Sequence, residues 1–144
     1  MRVEGFYNRH AETMSRDELE TLKLERLKWT VRHAYENVRF YREAMREKGI
    51  TPDDIKTLDD LRKLPFTDKE TLRATYPFGL LAVPKSELVE IHMTSGTTGT
   101  PTVGLYTMND VEVWAEVMAR SLYMSGLRKE DVFQITPSFG LFTG

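Results

Sequence analysis

The sequence contains no cysteine, which excludes a disulfide framework and any chemistry that needs a thiolate nucleophile or ligand. It also lacks an excess of one charge. The 20 Lys and Arg residues stand against 22 Asp and Glu, a net charge of −2, so there is no electrostatic footprint for nucleic acid or for an anionic membrane. No apolar run reaches the roughly 18 residues that a membrane helix needs, and the first residues lack the apolar segment of a secretory signal. We therefore expect a globular protein of a reducing, cytoplasmic compartment that binds neither nucleic acid nor membrane.

The first half of the chain carries the pattern of helices. Ser15, with Glu18 three residues later, forms a capping box that opens a long amphipathic stretch. The stretch is long for one globular helix, so we expect a break near Asn37 and an end at Gly49. The face predicted to be buried contains Leu19, Leu22, Leu27, Val31, Ala34, Val38 and Met45. Three short helical segments should follow, opened by Thr51, Thr57 and a capping box at Thr67, the last running to about Thr75. Residues 1–14 are expected to be irregular, and residues 1–84 to form a helical region without catalytic spacing.

The second half of the chain predicts an α/β arrangement. The predicted elements are the strand Glu87–Thr94, the strand Thr102–Thr107, a helix over 109–125 capped by Asn109 or Thr107, and the strand Asp131–Thr136. The last three of these would form a right-handed βαβ crossover. Residues 85–144 are thus predicted to be the beginning of an α/β subdomain.

The connection between the first two strands has an unusual composition. Glycines at two positions allow positive φ and a close approach of a ligand to the backbone, and successive N–H groups can then converge on an anion. Hydroxyl groups add further donors. A flexible surface loop is the alternative, but the strands on both sides and the Gly-x-x-Gly spacing favour phosphate binding. The candidate phosphate-binding residues are Thr94, Ser95, Gly96, Thr97, Thr98, Gly99 and Thr100.

Three histidines are candidates for chemistry, and none predicts a metal site. His10 and His33 have no acidic or histidine partner at the spacing of a metal site. His92 precedes the loop, where it could act on phosphate or orient a substrate, but pairing with Glu90 on the polar face of the strand is the favoured interpretation.

The order of residues separates this loop from two common phosphate-binding motifs. Gly99 and Gly104 have the glycine spacing of the Walker motif, but Leu105 and Tyr106 stand where it needs Lys and a hydroxyl residue. No Gly-x-Gly-x-x-Gly is present either. The segment 94–102 instead resembles Thr-Ser-Gly-Thr-Thr-Gly-x-Pro, the phosphate-binding signature of the adenylate-forming (acyl-CoA synthetase) superfamily. Most members continue with Lys, whereas Thr102 stands here, as in the phenylacetate-CoA ligase branch.

The resemblance to that branch extends from about Phe6 to Gly144. It includes Val38-Arg-Phe-Tyr-Arg, Leu64-Pro-Phe-Thr-Asp-Lys-Glu-Thr-Leu-Arg, Tyr76-Pro-Phe-Gly-Leu-Leu-Ala and Phe139-Gly-Leu-Phe-Thr-Gly144. It implies an ATP-dependent carboxylic acid–CoA ligase that uses ATP, Mg²⁺ and coenzyme A, with an aromatic acid as the family-level substrate. It also implies that Phe139, Gly140 and Phe142 lie near the acyl and adenylate site, although an apolar turn explains them equally well. No catalytic residue can be identified in this chain, so we expect it to be the N-terminal part of a longer enzyme and inactive alone.

Two other functions remain open at this point. The chain could be a catalytically inactive phosphate-binding or interaction module, whose exposed sheet edge would favour a homo-oligomer. It could also be a helical scaffold built on residues 15–75, in which the loop is incidental. The identity of the carboxylic acid is not determined by these residues.

Overall fold

The computed structural model describes residues 5–95, 99–136 and 140, which form helices and one antiparallel hairpin. The α-helices are α1 (Arg9–Glu12), α2 (Arg16–Asn37), α3 (Arg39–Glu47), α4 (Lys69–Ala74) and α5 (Met108–Met124). Short 3₁₀ segments span Pro52–Asp54, Leu58–Lys63 and Lys85–Glu87, and the strands are β1 (Leu88–Met93) and β2 (Val103–Thr107). Among these described residues no helix combines the length and the apolar character needed to cross a membrane.

Helix α2 begins at the predicted capping box. The Ser15 hydroxyl accepts from the Glu18 amide at 3.3 Å, and the Glu18 carboxylate accepts from the Ser15 amide at 2.9 Å. These bonds satisfy two amides near the start of the helix, and the bonds from Ser15 hold the pKa of Glu18 below its usual value. The helix ends at Asn37, where the next residue is extended, and α3 ends just before Gly49, which has a φ of 67°. The predicted break and the predicted end are both confirmed.

A small apolar core joins α2, α3 and the residue after the first 3₁₀ segment. Val31, Met45 and Ile55 are 5%, 2% and 2% exposed. Full burial of side chains of this size stabilises a fold by about 1.5–3 kcal/mol each. Every residue of the predicted buried face is buried or half-buried, so that prediction is confirmed.

Carboxylates fix the two 3₁₀ segments that follow α3. Asp54 accepts from both the amide and the hydroxyl of Thr51 at 2.8 Å. Asp60 accepts from the Thr57 amide at 2.8 Å and forms an ion pair with Lys63 at 2.8 Å. The Lys63 ammonium, together with the amides of Lys56 and Thr57 just before the segment, holds the pKa of Asp60 well below its ordinary range. Both segments are helical as predicted, in the tighter 3₁₀ form.

Helix α4 differs from its prediction by one residue. Its N-cap is Asp68, whose carboxylate accepts from the Thr71 amide at 2.7 Å, and not Thr67. A carboxylate is a stronger acceptor than a hydroxyl and also interacts with the positive end of the helix dipole. The cap therefore moves to the adjacent acid.

The N-terminal residues are more ordered than the sequence suggested. Asn8 caps the single-turn helix α1 by accepting from the Ala11 amide, and its Nδ2 donates to Oε1 of Glu116 in α5 at 2.8 Å. The rings of Tyr7 and Tyr123 lie 6.2 Å apart between the same two segments. The prediction of an irregular segment was wrong here, because contacts with α5 stabilise residues that have weak local preferences.

The hairpin confirms the first two predicted strands. Strands β1 and β2 pair antiparallel from Met93↔Val103 to Leu88↔Thr107, with one irregularity between Leu88 and Glu90. Helix α5 follows directly, capped by Thr107, whose hydroxyl accepts from the Asp110 amide at 3.3 Å. It ends at Met124, and Gly126, which the sequence predicts as the stop signal of this helix, follows with a φ of 104°.

The third predicted strand, Asp131–Thr136, is not formed, so the predicted βαβ unit is wrong for the described residues. Val132 is 99% exposed, and Phe133 and Ile135 are 57% and 56% exposed. A strand needs a neighbour to accept and donate its backbone hydrogen bonds. No described segment lies beside residues 131–136 in this way, so their apolar alternation does not produce a strand.

Candidate phosphate-binding site

The hairpin ends in a pair of threonines that close the candidate loop. Beyond Met93↔Val103, the Thr94 amide donates to the Thr102 carbonyl at 3.0 Å. The Thr102 amide donates to Oγ1 of Thr94 at 3.0 Å, and the two hydroxyl oxygens are 3.3 Å apart. We call Thr94 and Thr102 the closing pair. The loop they enclose, residues 95–101, is longer than the roughly 2–5 residues that a hairpin needs.

The structure places four of the predicted phosphate-binding residues at the solvent-facing end of the hairpin. Thr94, Ser95, Gly99 and Thr100 are all exposed. The other three, Gly96, Thr97 and Thr98, lie outside the described residues. The exposed hydroxyls of Ser95 and Thr100 can therefore be reached from solvent by a phosphate oxygen, which is what the predicted role needs.

Gly99 has the backbone conformation that the sequence anticipated for this loop. Its φ is 129°, a region that residues with a Cβ rarely adopt, and apart from its chain neighbours no heavy atom of the described residues lies within 4 Å of the position a Cβ would take. The space beside its backbone is open. A ligand can thus approach the main chain here more closely than it could approach any other residue type.

His92 belongs to an aromatic cluster below the loop. Its Nε2 lies 2.6 Å from Oε1 of Glu90, and its side chain is 15% exposed. Its ring centroid is 5.3 Å from that of Tyr106 and 5.6 Å from that of Trp114 in α5. The favoured prediction, a polar-face histidine paired with Glu90, is confirmed. The cluster fixes the hairpin against α5, because aromatic pairs at these distances stabilise beyond simple area burial.

Sequence reasoning missed the role of Gly104 in this cluster. A Cβ on Gly104, which lies opposite His92, would sit 3.0 Å from the hydroxyl oxygen and 3.1 Å from Cε2 of Tyr106. The Tyr106 ring therefore folds back along its own strand into the space that glycine leaves. The signal for this arrangement in the sequence is a strand glycine, Gly104, two residues before the aromatic Tyr106.

Helix α5 contacts the hairpin through Trp114. The sequence predicts an ion pair between Glu116 and Arg120, and the pair is present at 3.1 Å. The spacing also predicts a core-facing side that includes Trp114 and Met118, but these side chains are 38% and 49% exposed. The predicted core packing of this face is thus partial among the described residues.

A concave surface lies against β2, with Val103, Leu105 and Thr107 in its lining. A cleft of about 580 Å³ opens between α2, residues 80–83 and the start of α5. Trp29 and His33 stack at 4.7 Å on its α2 side, and Glu87 and Asp110 contribute carboxylates to its lining.

The predicted acyl-site residues are only partly described. Phe139 and Phe142 lie outside the described residues. Gly140 is exposed, and no other described residue has a heavy atom within 4 Å of its Cβ position. Within residues 5–95, 99–136 and 140, no group of three or more His, Asp or Glu side chains is placed to hold a metal ion.

Comparison with solved structures assigns the class of the fold. A 2-hydroxyisobutyryl-CoA ligase in complex with 2-HIB-AMP and CoA matches with a TM-score of 0.77 and 35% identity, over 85% of this chain and 27% of that one. The same ligase in an open conformation matches with a TM-score of 0.75 and 32% identity, over 85% of this chain and 29% of that one. The chain therefore has part of the fold of an adenylate-forming CoA ligase.

Comparison with curated proteins is more specific, although no protein-family model matches the chain. Phenylacetate-coenzyme A ligase of Aromatoleum evansii is 56% identical over 133 residues, which cover 92% of this chain and 30% of that enzyme. Those of Escherichia coli K12 and Thermus thermophilus are 51% and 48% identical, over 92% and 96% of this chain and 30% and 31% of the enzymes. By this relationship the chain belongs to the phenylacetate-CoA ligase family, and it spans about 30% of the length of those relatives.

Proposed function

We propose that this chain supplies the triphosphate-binding loop of an ATP-dependent carboxylic acid–CoA ligase that acts on phenylacetate or another aryl acid. One observation carries the proposal: a loop rich in hydroxyls and glycine is closed by the Thr94–Thr102 pair at the end of the β1–β2 hairpin. The support from outside the site is the 48–56% identity to phenylacetate-CoA ligases.

The proposed reaction has two steps. A carboxylate oxygen of the acid attacks the α-phosphorus of MgATP, the bond to pyrophosphate breaks, and an acyl-adenylate forms. The thiolate of CoA then attacks the acyl carbon and AMP leaves. Free carboxylates are poor acyl donors, so the first step provides the leaving group, and the protein contributes positioning and stabilisation of phosphate charge.

In this proposal residues 94–100 hold the β- and γ-phosphates while the α-phosphorus is attacked. The exposed hydroxyls of Ser95 and Thr100 and the open backbone of Gly99 are available for that contact. Thr102 stands where most of the superfamily has a lysine, so more of the phosphate charge would be neutralised by Mg²⁺. The ion arrives with the nucleotide, because Mg²⁺ in such sites is held largely by phosphate oxygens.

The remaining residues take their roles from the sequence. We assign residues 1–84 to a helical region and residues 85–144 to the beginning of the nucleotide-binding part. Phe139, Gly140 and Phe142 are assigned to the neighbourhood of the acyl and adenylate groups. These assignments complete the proposal without adding a catalytic residue.

Two experiments test the proposal. Calorimetry on the chain, with MgATP, Mg-pyrophosphate and adenosine as titrants, should show binding of the two phosphate ligands and none of adenosine at the same concentration. A chimera in which the chain replaces the matching segment of the Pseudomonas putida phenylacetate-CoA ligase, to which it is 51% identical, should catalyse phenylacetate-dependent exchange between ATP and pyrophosphate. A chimera that folds by circular dichroism and melts cooperatively, but shows no exchange, would refute the proposal.

One observation favours a second function, a self-associating module. Val89 and Ile91 on β1 are 52% and 43% exposed, and in the described residues β1 pairs only with β2, so its other edge is open. Unpaired strand edges of this kind can add a strand from another molecule. Sedimentation velocity should then show a dimer that Ile91→Lys dissociates, and a monomer at all concentrations would eliminate this function.

A further inference from the structure

We propose that Thr94 and Thr102 act as positioning residues for the phosphate-binding loop, and that the Thr94 hydroxyl is the hydrogen-bond acceptor on which this positioning depends. The inference rests on the proposed function. It assigns to Thr94 a role different from that of the other loop hydroxyls, and it gives Thr102 a role that the sequence did not suggest.

The first step is the hydrogen-bond pattern at the end of the hairpin. Two residues that face each other in a hydrogen-bonded antiparallel pair exchange both backbone bonds. Here the Thr94 amide donates to the Thr102 carbonyl, as expected, at 3.0 Å. The returning bond from the Thr102 amide runs to Oγ1 of Thr94, also at 3.0 Å, rather than to its carbonyl. A side-chain hydrogen bond thus completes the last facing pair of the hairpin, at the point where backbone pairing stops and the loop begins.

The second step concerns the hydrogen-bonding capacity that remains to the Thr94 hydroxyl. A hydroxyl has one proton and two lone pairs. The Thr94 oxygen accepts from the amide of Thr102 and from its hydroxyl, at 3.0 and 3.3 Å. Both lone pairs are engaged, so only the proton remains, and its direction is restricted by the two accepted bonds. Within the described part of the hairpin, no hydrogen bond restricts the hydroxyls of Ser95 and Thr100 in this way.

The third step concerns the residues that lie next to the closing pair on the hairpin. On the same face of the hairpin, the next facing pair is His92 and Gly104, and His92 contacts Tyr106 and Trp114. The closing pair is therefore adjacent to the aromatic cluster of His92, Tyr106 and Trp114, which packs the hairpin against α5. Groups held by rigid elements in this way keep a site in its binding geometry without loss of entropy at the moment of binding.

These steps lead to a specific expectation. Without the side-chain bonds, one backbone bond joins Thr94 and Thr102 among the described residues, so the two ends of the loop are held less firmly when a phosphate binds. Loss of one neutral hydrogen bond should weaken binding roughly fivefold, which equals about 1 kcal/mol at 1.4 kcal/mol per tenfold.

The test uses the 144-residue chain with Mg-pyrophosphate as the titrant in calorimetry. Thr94→Val, which keeps the shape and removes the acceptor, should bind roughly fivefold more weakly, and Thr94→Ser should bind as the wild type does. Thr102→Val keeps the amide and removes only the longer bond, so a loss of roughly twofold is expected, restored by Thr102→Ser. Thr30→Val, on an exposed face of α2, is the matched control and should change nothing.

Amide hydrogen exchange, followed by NMR, provides the second readout. The Thr102 amide should exchange faster in Thr94→Val than in the wild type or in Thr94→Ser, because its acceptor is gone. Thr102→Val leaves the Thr94 hydroxyl and its bond from the Thr102 amide intact, so it tests the Thr102 hydroxyl alone. If it binds pyrophosphate as the wild type does, the positioning role of the Thr102 side chain is overturned. If the Thr102 amide exchanges equally fast in Thr94→Val and in the wild type, the Thr94 hydroxyl is not its acceptor and the role assigned to Thr94 is overturned.

The remaining outcomes separate this inference from the proposed function. If the wild type binds pyrophosphate and Thr94→Val binds it equally well, the inference fails and the proposed function stands. Failure of Thr94→Ser to restore affinity would also overturn it, because packing of the methyl group would then explain the loss. If the wild type binds no phosphate ligand while the exchange pattern at Thr102 is as expected, the proposed function fails and the pair is a structural closure without a ligand to position.

Discussion

Replacing Gly99 by valine should weaken phosphate binding while leaving the fold intact. Gly99 has a φ of 129°, and within the described part of the chain no heavy atom beyond its sequence neighbours lies within 4 Å of the position of an added Cβ. The neighbours therefore do not obstruct the new side chain, and the conflict is with the backbone conformation of the residue itself. Holding a residue with a Cβ in so sparsely populated a region costs about 1–3 kcal/mol.

The size of the effect on affinity depends on whether the backbone strain is present in the free chain or only when a ligand is bound. If the loop relaxes to another conformation when free, the strain appears only when a ligand demands the original one. A coupling of about 1–3 kcal/mol corresponds to a loss of affinity of roughly 5- to 150-fold. Gly49→Val is the matched control, because Gly49 also has a positive φ, 67°, and also has no atom within 4 Å of a Cβ position, but it follows α3.

Calorimetry with Mg-pyrophosphate measures the affinity, and thermal unfolding measures the stability. We expect Gly99→Val to lose affinity with little change in Tm, and Gly49→Val to lower Tm with no change in affinity. Equal affinities for Gly99→Val and the wild type would show that the conformation at this position does not matter for binding. The loop would then have to hold phosphate through its hydroxyls alone, or not at all.

Three further predictions concern the fold. Ile55→Ala should destabilise the chain by about 2–5 kcal/mol in urea unfolding, since Ile55 is 2% exposed, whereas Ile91→Ala, at 43% exposed, should cost well under half as much. Gly79→Ala should lower Tm clearly, because its Cβ would lie 2.6 Å from the carbonyl oxygen of Thr75, a backbone atom that cannot rotate away. The lowered pKa of Asp60 means that its ionised form stabilises the fold above the unfolded pKa of about 3.9, and that this contribution is lost as pH falls toward the folded value. Asp60→Asn should therefore have a lower Tm than the wild type at pH 7, and the difference should shrink as the pH is lowered below about 4.

Each of these has a result that would contradict it. Equal losses of unfolding free energy for Ile55→Ala and Ile91→Ala would mean that burial in the small core around Val31 and Met45 adds no more stability than the exposed position on β1. A normal Tm for Gly79→Ala would mean that residues 75–79 adjust freely. A difference between Asp60→Asn and the wild type that stays constant from pH 7 to pH 3 would show that Asp60 stabilises through something other than its charge.

The parts of the fold that were predictable are those with short-range causes. The capping boxes at Ser15 and Thr107 place acceptor and donor three residues apart, so the sequence contains the whole interaction. The glycines that follow α3 and α5, Gly49 and Gly126, act through their own backbone. The hairpin was predictable for a similar reason, since both strands alternate in polarity and lie on either side of one loop.

The features that were missed depend on partners far away in the chain, or on geometry within the hairpin. The bond from Asn8 to Glu116 joins residues 108 positions apart, and no local pattern indicates it. The strand predicted at Asp131–Thr136 has the right alternation but no neighbour among the described residues. The hydroxyl bonds of the closing pair arise only once β1 and β2 are in register, so Thr94 and Thr102 could be identified as polar residues but not as partners.

The contact among His92, Tyr106 and Trp114 gives the chain a built-in optical reporter. The sequence contains two tryptophans, and the other one, Trp29, lies on α2. A Trp29→Phe background leaves a single indole, 5.6 Å from the imidazole that precedes the loop. Indole emission responds to nearby charge and polarity, so the arrival of a phosphate at the hairpin can be followed by fluorescence in stopped flow, without a label. The packing that holds the hairpin to its helix thereby makes the kinetics of binding, and not only its equilibrium, open to measurement.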